Sequence, residues 1–477
     1  MEDEKYFNLS QKANQLRHNK KYKEALKVYN EMYAYIQNNN INLSEKDLVF
    51  LTSGKANCLR NENLKNDYKK YLSAKASIIF LNNFLKNNPD FDLEKCNYSW
   101  LKTEFIWSYL GYYLSENYQN IANSIYAAKK IKNLIDNSNE IAYNCLLKNI
   151  SKKLLTNDII EKYINEIDEL LSMFPYGNKY FIEREYNHSL LEKHIDSLFN
   201  RLNNSKKNLT EKELLEQRVK KARENSIISA KFKVLYFKGE YEKIIKYRNK
   251  IFDSGEICNV AVAVERIASN AYIKLGDYDN AIEMLENALA EFGKQAYLYK
   301  DIANIYDMKA DKNKALLNYY KYCIYQQEKD NINNVLLILS EMLDDKKLAR
   351  KYINLYFLIQ EKNNWTVKDE AKLIEESLAD YREIDTRDYN ELLKELTAIW
   401  KQEINKHEET FTGKVIRIAN NNKFGFINYL ENNEIFFKLK NKNLNVGDNV
   451  SFNIEKSYDK SKKVFSQAAT NIKIISQ

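Results

Sequence analysis

The stretch VERIASNAYIKLGDYDNAIEMLENALAEFG, Val264 to Gly293, meets its own echo 34 residues further on. Ala303, Tyr306, Ala315 and Tyr319 answer Ser269, Tyr272, Ala281 and Leu285. Apolar residues three and four apart demand helices, and small residues at fixed places let two helices cross closely. LGDY makes the turn between them, with Gly276 relaxing the backbone. A chain built this way folds as stacked helical hairpins, because one pair cannot bury its apolar face alone. Only 10 Gly and 2 Pro in 477 residues argue likewise for long helices and short turns.

Weaker copies flank the best pair. LYFKGEYEKIIKYRNKIF carries Gly239 and Tyr241 where the clear repeat has Gly276 and Tyr278. Near the start, Ala13, Leu16, Tyr22, Ala25 and Tyr29 fit the same template. Between 45 and 200 the periodicity stays helical without a clean repeat, which reads as divergent copies, with Pro89 and Pro175 in connections. The charged run 201–225 reads as an exposed helix, and a further helix pair is expected over 331–379. A last helix, Asp388 to Lys406, carries Leu392, Leu393, Leu396, Ile399 and Trp400 as a stripe suited to covering the end of a stack. The pattern resembles the tetratricopeptide repeat. That resemblance implies protein or peptide binding, with Tyr272, Tyr299 and Tyr306 as candidate contacts; packing explains each of the three equally well.

At Thr412 the period changes from helical to two. TGKVIRI, FGFINYL and IFFKLK alternate, and VGDNVSFNIE and VFSQAATNIKII follow. Five short strands in so few residues predict a small closed barrel of the oligonucleotide-binding (OB) type. Phe424 and Phe426, two apart, project from one face of a strand, and Phe436 joins them from the next. Lys414, Arg417, Lys423, Lys438 and Lys440 surround them. From Phe411 onward stand 11 basic and 5 acidic residues, so six of the chain's eight excess positive charges sit in this tail. Rings beside cations are what unstacked bases and their phosphates require.

This tail resembles the cold-shock domain. GKVIRIA, KFGFI and EIFFKLK stand where that family has GKVKWFN, KGFGFI and VFVHF, while LNVGDNVSF and QAATNI match its later segments. The family's exposed tryptophan is Arg417 here, the neighbouring phenylalanine Ile418, the first glycine of KGFGF Lys423, and the histidine and second phenylalanine of VFVHF are Lys438 and Leu439. Fewer rings imply weak binding with little sequence preference.

The chain therefore divides into divergent helical repeats over 1–200, a helical-hairpin solenoid over 201–387, a capping helix over 388–408 and a β-barrel over 411–477. No GxxxxGK[ST], GxGxxG or HExxH motif is present, and His188 and His194, six apart, do not share a helical face. Five scattered cysteines read as reduced thiols, and the acidic N-terminus shows no signal-peptide pattern, so a cytoplasmic protein is expected. The expected function is a non-catalytic adaptor without cofactor or metal. Its solenoid holds a protein and its barrel holds single-stranded nucleic acid, RNA ahead of DNA. The alternative is a purely protein-binding scaffold whose barrel docks or dimerises; an enzyme within 45–200 ranks third.

Overall fold

The computed structural model describes residues 4–63, 67–115, 120–135, 139–174, 211–253, 261–419, 423–430, 433–439, 444–459 and 464–475. The described residues form two compact units, the first running to Glu240 and the second from Tyr241 on.

In the first unit the helices are α1 (Glu4–His18), α2 (Tyr22–Asn38), α3 (Glu45–Asn61), α4 (Asp67–Asn87), α5 (Ser99–Tyr112), α6 (Ile121–Leu134), α7 (Glu140–Lys153), α8 (Asn157–Lys162), α9 (Ile164–Ser172) and α10 (Glu211–Phe237). Their starts follow ordinary capping: the Ser44 hydroxyl accepts from the Asp47 amide before α3, and the Asn120 side chain accepts from Asn123 before α6. Pro89 lies in the turn after α4, as the sequence requires, and Pro175, His188 and His194 fall outside the described residues. The charged run expected as an exposed helix is, from 211 on, the first part of α10. The rest of α10 is core, with Ile227, Ile228 and Phe232 buried.

The second unit continues with α11 (Tyr241–Asp253), α12 (Ala261–Lys274), α13 (Tyr278–Phe292), α14 (Ala296–Met308), α15 (Lys312–Tyr325), α16 (Asn333–Met342), α17 (Lys346–Asn363), α18 (Asp369–Ser377) and α19 (Tyr389–His407). The 34-residue echo survives at atomic scale. Gly276 and Ala310 both take left-handed backbone, the next amides, Asp277 and Asp311, donate back to Tyr272 and Tyr306 at 2.9 Å, and both aspartates cap the following helix. The same turn closes at Gly239, from Glu240 to Leu235, and at Lys20, from Lys21 to Leu16. Ala281, Ala303 and Ala315 are wholly buried, and the Ser269 hydroxyl reaches the Ala281 carbonyl at 2.9 Å. Where a helix pair was expected over 331–379, there are three helices, because Asn364 turns left-handed at the end of α17 and a short α18 follows. Leu392, Leu396 and Trp400 of α19 are buried against α15 and α17, with Leu393 and Ile399 half-buried beside them.

All five expected strands form: β1 (Phe411–Ile418), β2 (Phe424–Tyr429), β3 (Asn433–Lys438), β4 (Asn449–Asp459) and β5 (Val464–Ile474). They close in the order β1-β2-β3-β5-β4. Val415, Ile427, Ile435, Phe437, Val450, Phe452, Ala469 and Ile472 fill the interior. Gly425 faces inward, where a Cβ would stand 2.5 Å from the Phe437 ring and 2.7 Å from the Arg417 carbonyl. The chain is thus mainly helical with a small, closed, five-stranded β-barrel.

Candidate nucleic-acid interface

Strand alternation alone decides what the barrel shows to solvent. With Gly425, Ile427, Ile435 and Phe437 turned inward, Phe424, Phe426 and Asn428 of β2 and Glu434, Phe436 and Lys438 of β3 face outward. Antiparallel register sets Phe426 opposite Phe436, Phe424 opposite Lys438 and Asn428 opposite Glu434. On the other side β1 sets Arg417 beside Phe426 and Lys414 beside Asn428, across an irregularity between Val415 and Arg417.

The three rings form one cluster, with centroids 6.1 Å apart for Phe424–Phe426, 5.6 Å for Phe424–Phe436 and 6.0 Å for Phe426–Phe436. All three are half-buried and none belongs to the barrel core. Their packing on one another accounts for part of that burial. The Arg417 guanidinium lies over Phe426 at 4.3 Å and within 3.9 Å of the Glu434 carboxylate. Arg417 therefore extends the ring surface by one more flat group. Lys414, Lys423 and Lys438 are exposed around it, and Lys440 lies outside the described residues. Asn428 and Glu434 share this face but were missed, although the same two-residue alternation that exposes the rings marks them.

The opposite edge of the barrel meets helices of its own unit. Strand β4 packs on α13, and Lys294 bonds Glu455 at 2.9 Å while Lys456 meets Glu283 at 3.5 Å. Between barrel and helices runs a groove of about 940 Å³, walled by Leu289, Ala290, Tyr299 and Ile302 on one side and Ile454, Gln467 and Thr470 on the other. Lys438 stands on both the ring face and the groove. Burial opposes the charge of Lys294, yet Glu455 and Tyr325 hold its ammonium above the ordinary lysine range. Desolvation at the groove wall pushes the Glu286 carboxyl up, against the pull of Lys456 and Lys321.

The three tyrosines named as partner contacts are not equivalent. Tyr299 is buried, stacks on Tyr325 at 5.2 Å, and lines the groove; burial drives its phenol well above the ordinary value. Tyr272 and Tyr306 are half-buried against the α12–α14 core, with Lys314 over the Tyr306 ring at 5.3 Å. Each tyrosine thus does packing work.

Among the described residues no group of three or more His, Cys, Asp or Glu is placed to hold a metal, and no helix is long and apolar enough to cross a membrane. Comparison of the chain with protein-family models and with curated proteins finds no match, so the meaning of this face rests on its own residues.

Proposed function

We propose that the protein is a non-catalytic, cytoplasmic adaptor whose cold-shock-like barrel binds single-stranded nucleic acid, RNA ahead of DNA. Its tetratricopeptide-like hairpins hold a protein partner. The observation that carries the first half is the outward cluster of Phe424, Phe426 and Phe436, bordered by Lys414, Arg417, Lys423 and Lys438. Bases stack on aromatic rings whatever their identity, each contact being worth about 1–3 kcal/mol, while cations hold the phosphates. Three rings and an arginine plane offset an association cost of roughly 4–15 kcal/mol only in part, so weak, sequence-tolerant binding is expected. The protein-binding half rests on the stacked hairpins themselves and on the resemblance of their repeat.

The test is fluorescence-anisotropy titration of labelled single-stranded RNA and DNA with the full chain and with Phe424→Ala and Phe436→Ala. Saturable binding that each substitution weakens supports the reading. Absence of binding, or binding indifferent to both substitutions, refutes it and leaves the protein-only scaffold. In pull-downs, partners lost on nuclease treatment favour the adaptor, and partners retained favour the scaffold.

A further inference from the structure

We propose that the groove between the barrel and α13–α15 is a second part of the same binding site, in which the helices and the barrel together take unpaired bases. This rests on the nucleic-acid reading above and adds a specific claim: that the helical unit supplies one wall.

The argument starts at Lys438. Its side chain is exposed, it pairs across the sheet with Phe424, and it also lines the groove, so the ring face and the groove are continuous at this residue. Among the described residues, strands β3 and β5 pair at Phe436–Ala468 and Phe437–Ala469. Beyond that, Lys438 and Thr470 come next along the two parallel strands, and both line the groove. A strand leaving the Phe424–Phe436 platform over Lys438 therefore reaches the groove lining.

Charge decides which part of a nucleotide fits there. Lys294 is paired with Glu455, Lys456 with Glu283, and Lys321 with Glu408 at 3.4 Å. These three groove lysines are thus matched by carboxylates, and with Glu286 and Glu409 also in the lining beside Lys438 the groove has no surplus of positive charge to draw phosphates in. Its walls suit bases instead. The half-buried Leu289, Ala290 and Ile454 offer apolar surface to flat rings. Asn318 and Asn453 donate their amide nitrogens to the Lys314 and Glu409 carbonyls, leaving the side-chain oxygen of each as the end suited to a base N–H. Among the described residues the buried Thr470 hydroxyl has no hydrogen-bond partner. Phosphates stay outside, at Lys438, while bases turn in.

The experiment uses the full chain and single-stranded RNA oligonucleotides carrying 4-thiouridine. A trinucleotide spans the rings only; a nonanucleotide is long enough to enter the groove. Photo-crosslinks of the nonamer to peptides of α14–α15 as well as to 424–438 support the proposal. Ala290→Trp, which fills the groove from the helical side, is expected to weaken nonamer binding about tenfold and leave the trinucleotide unchanged. Since a tryptophan there can disturb α13, thermal melting checks the variant, and the wild-type crosslinks stand independently of it. Phe436-dependent binding with crosslinks confined to the barrel overturns this inference and spares the proposed function. Loss of all Phe436-dependent binding overturns both.

Discussion

Salt dependence separates the two physical components assigned to the barrel face, because rings and cations respond to it differently. Each phosphate neutralised on a single strand contributes about −0.7 to the slope of log affinity against log salt. Four described cations border the rings, Lys414, Arg417, Lys423 and Lys438. Arg417 is partly committed to Glu434 at 3.9 Å, so three to four phosphate contacts are expected. The slope then lies between about −2.1 and −2.8, and raising salt from about 50 to about 200 mM weakens binding roughly 20- to 50-fold.

Lys438→Gln should flatten the slope by about 0.7. Glu434→Gln, which releases Arg417, should steepen it. Phe436→Ala should instead move the whole line down by about 1–3 kcal/mol, a factor of roughly 5 to 150, without tilting it. Anisotropy titrations of a short labelled single strand at four salt concentrations read all three. A wild-type slope near zero, a slope twice as steep as calculated, or a tilt produced by Phe436→Ala rather than by Lys438→Gln would each refute this division of labour.

Three further outcomes follow from the helical framework. Trp400 is wholly buried, stacks on Tyr352 and donates to its hydroxyl at 2.9 Å, so Trp400→Ala should cost about 3–5 kcal/mol in denaturant unfolding, whereas Trp400→Phe should cost distinctly less. Asp330 is partly desolvated, yet bonds to Lys362, Asn363 and Tyr389 hold its carboxyl below the ordinary range. A depressed carboxylate contributes stability above its unfolded value, near 4, and loses it as pH falls through the lower folded value. Thermal melts of wild type and Asp330→Asn should therefore differ at pH 7 and converge towards pH 3. Burial pushes the Cys58 thiol up to about 12 and raises that of Cys323 as well, so a thiol reagent should modify the half-buried Cys96 and Cys145 before Cys58 and Cys323; early labelling of Cys58, read by mass spectrometry, would contradict its burial.

What could be read in advance follows from which interactions are local. Helix crossings need small residues at set places, so Ala281 and Ala315 announce the hairpins, and the caps Asp277 and Asp311 repeat with them. Strand alternation announces the ring face, since Phe424, Phe426 and Phe436 need only the two-residue period to share a side. Helix α5, SWLKTEFIWSYLGY, shows the opposite case. Leu101, Phe105, Ile106, Tyr109 and Leu110 are buried on several sides, so no single apolar stripe marks its packing. The groove was hidden for a different reason. Lys294 and Glu455 stand 161 residues apart, and nothing local to either predicts that they meet.

That pairing changes how the weak barrel should work. Only 408–410 separate α19 from β1, and the joint is itself fastened: Asn453 donates to the Glu409 carbonyl at 2.9 Å and Lys321 meets Glu408. The ion pairs between barrel and helices are partly exposed, so each contributes at most about 1 kcal/mol. Such contacts hold little when the partners are separate molecules, but a three-residue joint keeps the local concentration high enough for them to act. Docking is then stable within the chain and readily biased by anything that touches both walls. At the proposed site, a nucleic-acid strand lying only on the rings would leave that balance untouched, whereas one reaching into the groove would add its contacts to it. Under that proposal ligand length, more than ring affinity, is accordingly expected to set how firmly the barrel is held against its helices.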